Sequence, residues 1–369
     1  MKSAFSRKKS GYIPTLDGWR AVAILGVILF HGGPLFPHGT RLEGLRQLGE
    51  DGVRLFFAIS GILICTRLMD EEETRGSISF RNFYIRRLFR IQPAAIVYLL
   101  VVMLLAAVGT IAFYKLGWWT ALLASRNFVA ESSTTNGAWY TTHFWSLAIE
   151  EQFYLVLPVL LLLLRGKNRI QWFAAITVVA IGWYEFLDKP SSTHQLRSES
   201  EMCWLFLPAL LAMLMRLQSF RKPCVRYLHP GPVSLVVGAI LCGLVFRVRH
   251  IHHLWLPTFS FLVFSTILHP ESIVSSFLEL SFMRLIGRIS YSLYLWQQLF
   301  CVFRLPNPPA GRPLDWLQHH PQNYVVPFLL ALVSYFVVEK PLIRIGHTLA
   351  PPLSAGHADL ELKQTAAPV

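Results

Sequence analysis

Apolar runs separated by short polar segments recur from one end of the chain to the other. An α-helix needs about 20 mostly apolar residues to cross a bilayer. The pattern predicts about ten such helices, near residues 14–33, 52–69, 88–110, 143–164, 170–187, 201–218, 232–249, 253–269, 284–304 and 323–345. Segment 111–142 opens with the apolar stretch Leu116–Leu123, then turns polar through "SRNFVAESSTTNG", and reads as a long loop with a partly embedded start. Lys and Arg favour the loops on the side of the N-terminus by roughly two to one, and an even span count then puts both termini in the cytoplasm. The predicted architecture is all-α and polytopic, with a basic N-terminus (1–13), a membrane unit (14–346) and a disordered cytoplasmic tail (347–369). The basic start has no small-residue cleavage site after the first apolar run, so the first span is expected to stay in place. No repeat of 20–50 residues and no inverted repeat is visible.

Polar residues inside these runs carry the chemistry, because ionisable groups in a membrane are costly and usually face a protein interior or a wet cavity. In "LDGWRAVAILGVILFHGG" (16–33), Arg20 and His31 are eleven residues apart. Eleven helical steps end about 20° past three full turns, so the two share a face, about 16 Å apart along the axis. Snorkelling of Arg20 and simple capping by His31 would explain the same pattern. In "HFWSLAIEEQFYLVLP" (143–158), His143, Ser146, Glu150 and Tyr154 form one polar stripe, with Glu151 about 100° away. Glu150 enters at a depth comparable to His31, and a carboxylate bonded to one ring nitrogen would orient a histidine as a general base. A structural pair, or two residues that never meet, is the other reading.

Three further clusters are weaker. Arg86, Arg87 and Arg90 in "FYIRRLFRIQP" can form one inner cluster suited to phosphate, or serve as ordinary positive-inside anchors. Ser290, Tyr294 and Gln297 in "GRISYSLYLWQQ" recur along one helix, as helix glue or as substrate contacts. Ser60-Gly61 marks a point where a neighbouring helix can approach closely. "RHIHH" (249–253) has poor spacing for a metal, and no metal site is expected.

Composition supports the membrane reading. Of 369 residues, 53% are hydrophobic and only 15% charged, and the mean hydropathy is +0.44. The five cysteines are scattered singly and read as small hydrophobes. The net charge of +13 is distributed as a topology signal, which removes the argument for nucleic-acid binding.

Taken in order, "LDGWRAVAILGVILFH", "GVRLFFAISGIL", "FYIRRLFRIQP", "WSLAIEEQFYLVLP", "GRISYSLYLWQ" and "VEKP" resemble the membrane acyltransferase-3 family of multi-pass O-acyltransferases, from Leu16 to about Arg344. The resemblance implies His31 as catalytic histidine with Arg20 as its partner, Arg87-x-x-Arg90 as the pattern associated with acyl-CoA, and Ser146 and Glu150 as the Ser/Glu motif. Arg54 and Gln297 stand where many members have Asp and His, so roles at those positions do not carry over. The expected enzyme takes an acyl group, acetyl in the simplest case, from cytoplasmic acyl-CoA to a hydroxyl of a cell-surface glycan, lipid-linked sugar or small metabolite. Arg86, Arg87 and Arg90 would hold the CoA phosphates, and Glu150 would orient His31. His143, Trp145, Ser146, Tyr154, Ser60 and Tyr294 would line the substrate pocket. Acyl-CoA is a co-substrate, and no tightly bound cofactor is expected. The location implied is the inner membrane of a bacterium, with lipids around the protein. Some relatives add an esterase domain, so a separate periplasmic partner is a further expectation. A secondary transporter using His31 and Glu150 as a proton relay is the main rival, and a non-catalytic protein of the same fold the other. The loops Gly32–Asp51, Lys115–Thr142 and Arg304–Gln322 carry no recognisable acceptor code.

Overall fold

A computed structural model describes residues 12–32, 48–129, 137–187, 201–245, 254–302 and 314–352. Among the described residues the secondary structure is helical, with no strand. The helices are α1 (Pro14–Gly32), α2 (Leu48–Arg75), α3 (Phe80–Ala107), α4 (Lys115–Leu122), α5 (Trp139–Thr142), α6 (Phe144–Leu163), α7 (Arg169–Gly182), α8 (Cys203–Leu214), α9 (Gln218–Tyr227), α10 (Pro230–Val245), α11 (Trp255–Leu268), α12 (Ile273–Leu278), α13 (Ser281–Phe300), α14 (Asp315–Gln318), α15 (Gln322–Ser334) and α16 (Lys340–Leu349). A π-turn, Tyr335–Glu339, joins α15 to α16.

Each of the apolar segments read from the sequence holds a helix. By length and composition four helical stretches can cross a membrane alone: Asp51–Arg75, Phe80–Ala107, Trp139–Leu163 and Gln322–Leu349. Joining α8 and α9, bent by 103°, would make a fifth. Helices α1 and α13 have 19 and 20 residues, but both carry polar groups that face inward. The apolar stretches of α10 and α11 are shorter. Within the segment 111–142 the described residues include helices where the sequence suggests a loop. They form α4, where the Trp118 indole donates to the Leu99 carbonyl of α3 at 2.9 Å, and the short α5. The chain also turns sharply after α8, because Arg216 is pinned by Asp70, by Glu73 at 2.7 Å and by the Thr66 carbonyl at 3.2 Å. The tail expected to be disordered from 347 is helical as far as Leu349. Residues 353–369, "RHIHH" and residues 33–47 and 303–313 lie outside the described residues.

Helix α1 runs between α2 and α13, and its residues Ala21, Ala23, Ile24 and Val27 are almost wholly buried. Small residues allow this packing. A Cβ on Gly287 would lie 1.8 Å from the Asp17 carbonyl oxygen, so the missing side chain is what lets α13 come up against the α1 backbone there. Gly61 does the same for α2 against Leu205 of α8, as its position in the sequence suggests. Large apolar side chains such as Leu104, Leu155, Leu163 and Val178 stay exposed on the outside of the bundle, as a lipid-facing surface requires.

The far end of α2 carries a run of acids that ties down other helices. Glu71 holds Arg86 of α3 at 3.2 Å, and Glu72 holds Arg169 of α7 at 2.6 Å and Arg165 at 2.8 Å. The Glu72 carboxylate and Arg169 are mostly shielded, at 16% and 14% exposure. Removing one member leaves a poorly solvated charge. Glu72→Ala should therefore lower stability by on the order of 2 kcal/mol. A thermal melt of the purified protein checks this, and an unchanged midpoint would show the cluster to be solvated.

Candidate active site

A cavity of about 350 Å³ opens between α1, α2, α3, α6, α13 and the π-turn. The face of α2 that lines it runs Val53, Phe56, Phe57, Ser60, Leu63, Ile64 and Arg67, a helical stripe that passes from apolar to charged. Five guanidinium groups line it: Arg20, Arg67, Arg87, Arg90 and Arg288. Four carboxylates join them: Asp17, Glu150, Glu151 and Glu339.

The site is built by hydrogen bonds between elements. Arg20 bonds Asp17 one turn earlier on α1, at 3.1 Å. Arg87 lies over the Tyr154 ring, 5.2 Å from its centroid. Glu150 accepts from the hydroxyls of Ser60 and Tyr154, which joins α2 to α6 at mid-cavity. Glu151 accepts from Gln92 of α3 at 2.8 Å. Glu339 accepts from Ser292 of α13. The π-turn is the local irregularity that brings Tyr335 and Glu339 to the same wall. At the end away from Arg67, Ser146 and Tyr294 share a hydrogen bond of 2.8 Å, and Tyr294 also donates to the His143 carbonyl at 3.0 Å.

Of the residues singled out in the sequence, Arg20, Ser60, Arg87, Arg90, Ser146, Glu150, Tyr154 and Tyr294 meet in this cavity. Arg86 points elsewhere and pairs with Glu71. Trp145 backs the wall, edge-on to Phe57 at 6.2 Å. His143 is 2% exposed and packs on the rings of Tyr98, Phe144 and Tyr294, within electrostatic reach of His31. Neither ring nitrogen of His143 has a hydrogen-bond partner among the described residues. His31 stands beyond this layer, its ring edge-on to Trp139 with centroids 5.8 Å apart. His31 and Glu150 are not hydrogen-bonded to each other, since Glu150 is held by its two hydroxyl donors. Gly52 packs beside Ala23 and Val27, so Val53 at the closed end lies about two turns, or roughly 10 Å, below His31.

Several lining residues escaped the sequence reading. Glu151 points about 100° from the polar stripe of α6, yet the cavity is wide enough to take in both glutamates. Asp17 and Glu339 sit inside the recognised "LDGW" and "VEKP" stretches, which was a usable signal. Arg67 falls two turns after Ser60 on the same face of α2, a spacing that could have found it. The two departures have structural partners. Arg54 bonds Asp51 at 3.2 Å and Glu201 at 3.3 Å on another face of α2. Gln297 is fully buried against Gln298, at 3.0 Å.

Comparison with known proteins converges on one chemistry. A family model described as an acyltransferase domain matches residues 13–338. "Putative O-acetyltransferase SACOL0978" of Staphylococcus aureus (strain COL) is 32% identical over 321 residues, covering 78% of this chain and 50% of that protein. O-acetyltransferase OatA of Staphylococcus aureus (strain NCTC 8325 / PS 47) is 28% identical over 379 residues, covering 91% of this chain and 58% of that one. The chain thus spans about half the length of the curated relatives it matches. No solved structure matches it. With a family match over most of its length, and a bundle of apolar helices around a charged cavity, the chain belongs to the acyltransferase-3 family.

Proposed function

We propose that the protein is an inner-membrane O-acetyltransferase that takes its acyl group from cytoplasmic acyl-CoA and passes it to a hydroxyl of a cell-surface glycan, a lipid-linked sugar or a small metabolite. The observation that carries this reading is the polarity gradient of the cavity. Arg67, Arg87, Arg90 and Arg288 line one end, and Val53, Phe56 and Phe57 close the other. A CoA thioester has that same division, with phosphates at one end and a small apolar acyl group at the other. Guanidinium forks suit the phosphates. Arg86 belongs to the inner scaffold in this scheme.

The topology proposed with it has about ten spans and both termini in the cytoplasm, so the arginine end faces the CoA pool. His31 is the general base for the acceptor hydroxyl on the outer side. It takes the hydroxyl proton as the oxygen attacks the thioester carbonyl. The carbon–sulfur bond breaks, and the proton then goes to the departing CoA thiolate. An acyl-histidine step, with the imidazole as nucleophile, is the other chemical route. Glu150, held by Ser60 and Tyr154, sets the field around Arg20 and Arg87 instead of bonding His31. The Ser146–Tyr294 bond lies between the cavity and the imidazoles, so the acyl group reaches His31 only when that layer yields.

Incorporation of acetyl-labelled acetyl-CoA separates this from transport. Membranes holding the protein should yield acylated product and free CoA in equal amounts. Uptake of an intact solute with no acyl transfer would contradict the proposal.

A further inference from the structure

We propose that the closed end of the cavity is an acyl gauge, in which Phe56, backed by Val53, Leu147 and Tyr294, restricts the donor to a two-carbon acyl group. This rests on the donor reading above and narrows its substrate class. Beyond Ser60 towards Val53 the α2 stripe has no charged member. The Phe56 ring meets Tyr294 edge-on at 6.5 Å, and Tyr294 is itself fixed by Ser146. Phe57, 1% exposed, is fixed by Trp145. While the donor binds, before the Ser146–Tyr294 layer yields for transfer, extra methylenes would have to displace this interlocked wall at a cost, because packed interiors are near crystal density.

A neighbouring recess offers little. It lies past Leu147 and Tyr291 against α4 and holds about 10 Å³. That is about the room of one water-sized probe. A four-carbon acyl chain must therefore displace these rings, whereas an acetyl methyl fits against them.

The test is competition binding on the purified full chain in nanodiscs, with labelled acetyl-CoA displaced by acetyl-CoA, butyryl-CoA or free CoA. Each methylene misfit in an apolar pocket is worth about tenfold or more. The wild type should prefer acetyl-CoA to butyryl-CoA by at least about tenfold. Phe56→Ala, and separately Leu147→Ala, should shrink that preference to about two- or threefold. Equal binding of both thioesters by the wild type would overturn the gauge. So would an undiminished preference in both variants while free CoA still binds. If the wild type bound no CoA species, the donor reading would fall with it, which is a distinct outcome.

Discussion

His31→Ala should reduce acyl transfer by a hundredfold or more, roughly the span of a lost general base, and by more if the imidazole is the nucleophile. The variant should still insert and accumulate. His31 sits at the end of α1, past the buried residues Ala21, Ala23, Ile24 and Val27 of the helix that runs between α2 and α13. Its ring rests edge-on against Trp139, a contact whose loss costs little beside the packing of the bundle. His31→Gln serves as a second variant that keeps size and hydrogen bonding while removing the basic nitrogen. Transfer is measured as label moving from acetyl-CoA into product. Wild-type rates in both variants would assign the base elsewhere, and His143, buried between Tyr294 and His31, would be the next group to test.

Arg87→Ala combined with Arg90→Ala should weaken acyl-CoA binding by about a hundredfold or more. Charge-assisted contacts are worth about 1.5–3 kcal/mol each, and two are lost. Residual binding should also depend less on ionic strength, because fewer charges remain to be screened. Both side chains line the cavity, and Arg87 is braced over Tyr154. By contrast Arg86, on the same helix, is engaged by Glu71. Arg86→Ala is therefore the control, expected to affect stability more than CoA affinity. Binding of labelled CoA across a salt series distinguishes the cases. Equal loss in the Arg86 variant and the double variant would mean that the three act only as a general basic rim.

The sequence exposed the parts of the site that depend on one helix. The Arg20–His31 spacing and the Ser146–Glu150–Tyr154 stripe follow from helical period alone, and the helices at 14–32 and 144–163 carry them as read. What period cannot give is the distance and rotation between helices. Glu150 and His31 were expected to meet on depth, but the close approach at Gly52 and the hydroxyls of Ser60 and Tyr154 leave them apart. Arg86 and Arg87 are neighbours in sequence with opposite fates, because Glu71, on a different helix, claims only one of them. Span lengths were blurred for a related reason. Helices α1 and α13 are polar where they face the cavity, so hydropathy undercounts the elements that build the site.

The central claim is that an acyl donor enters the cavity from the arginine end, at the cytoplasmic face, and yields its acyl group on the other side. Sealed membrane vesicles of defined orientation test it most directly, with impermeant acetyl-labelled acetyl-CoA added outside. Inside-out vesicles should transfer label to acceptor material retained in the lumen or membrane, and right-side-out vesicles should not. The activity should vanish in the His31→Ala and Arg87→Ala/Arg90→Ala proteins. Label transfer from either face alike, or only from the right-side-out face, would contradict the account.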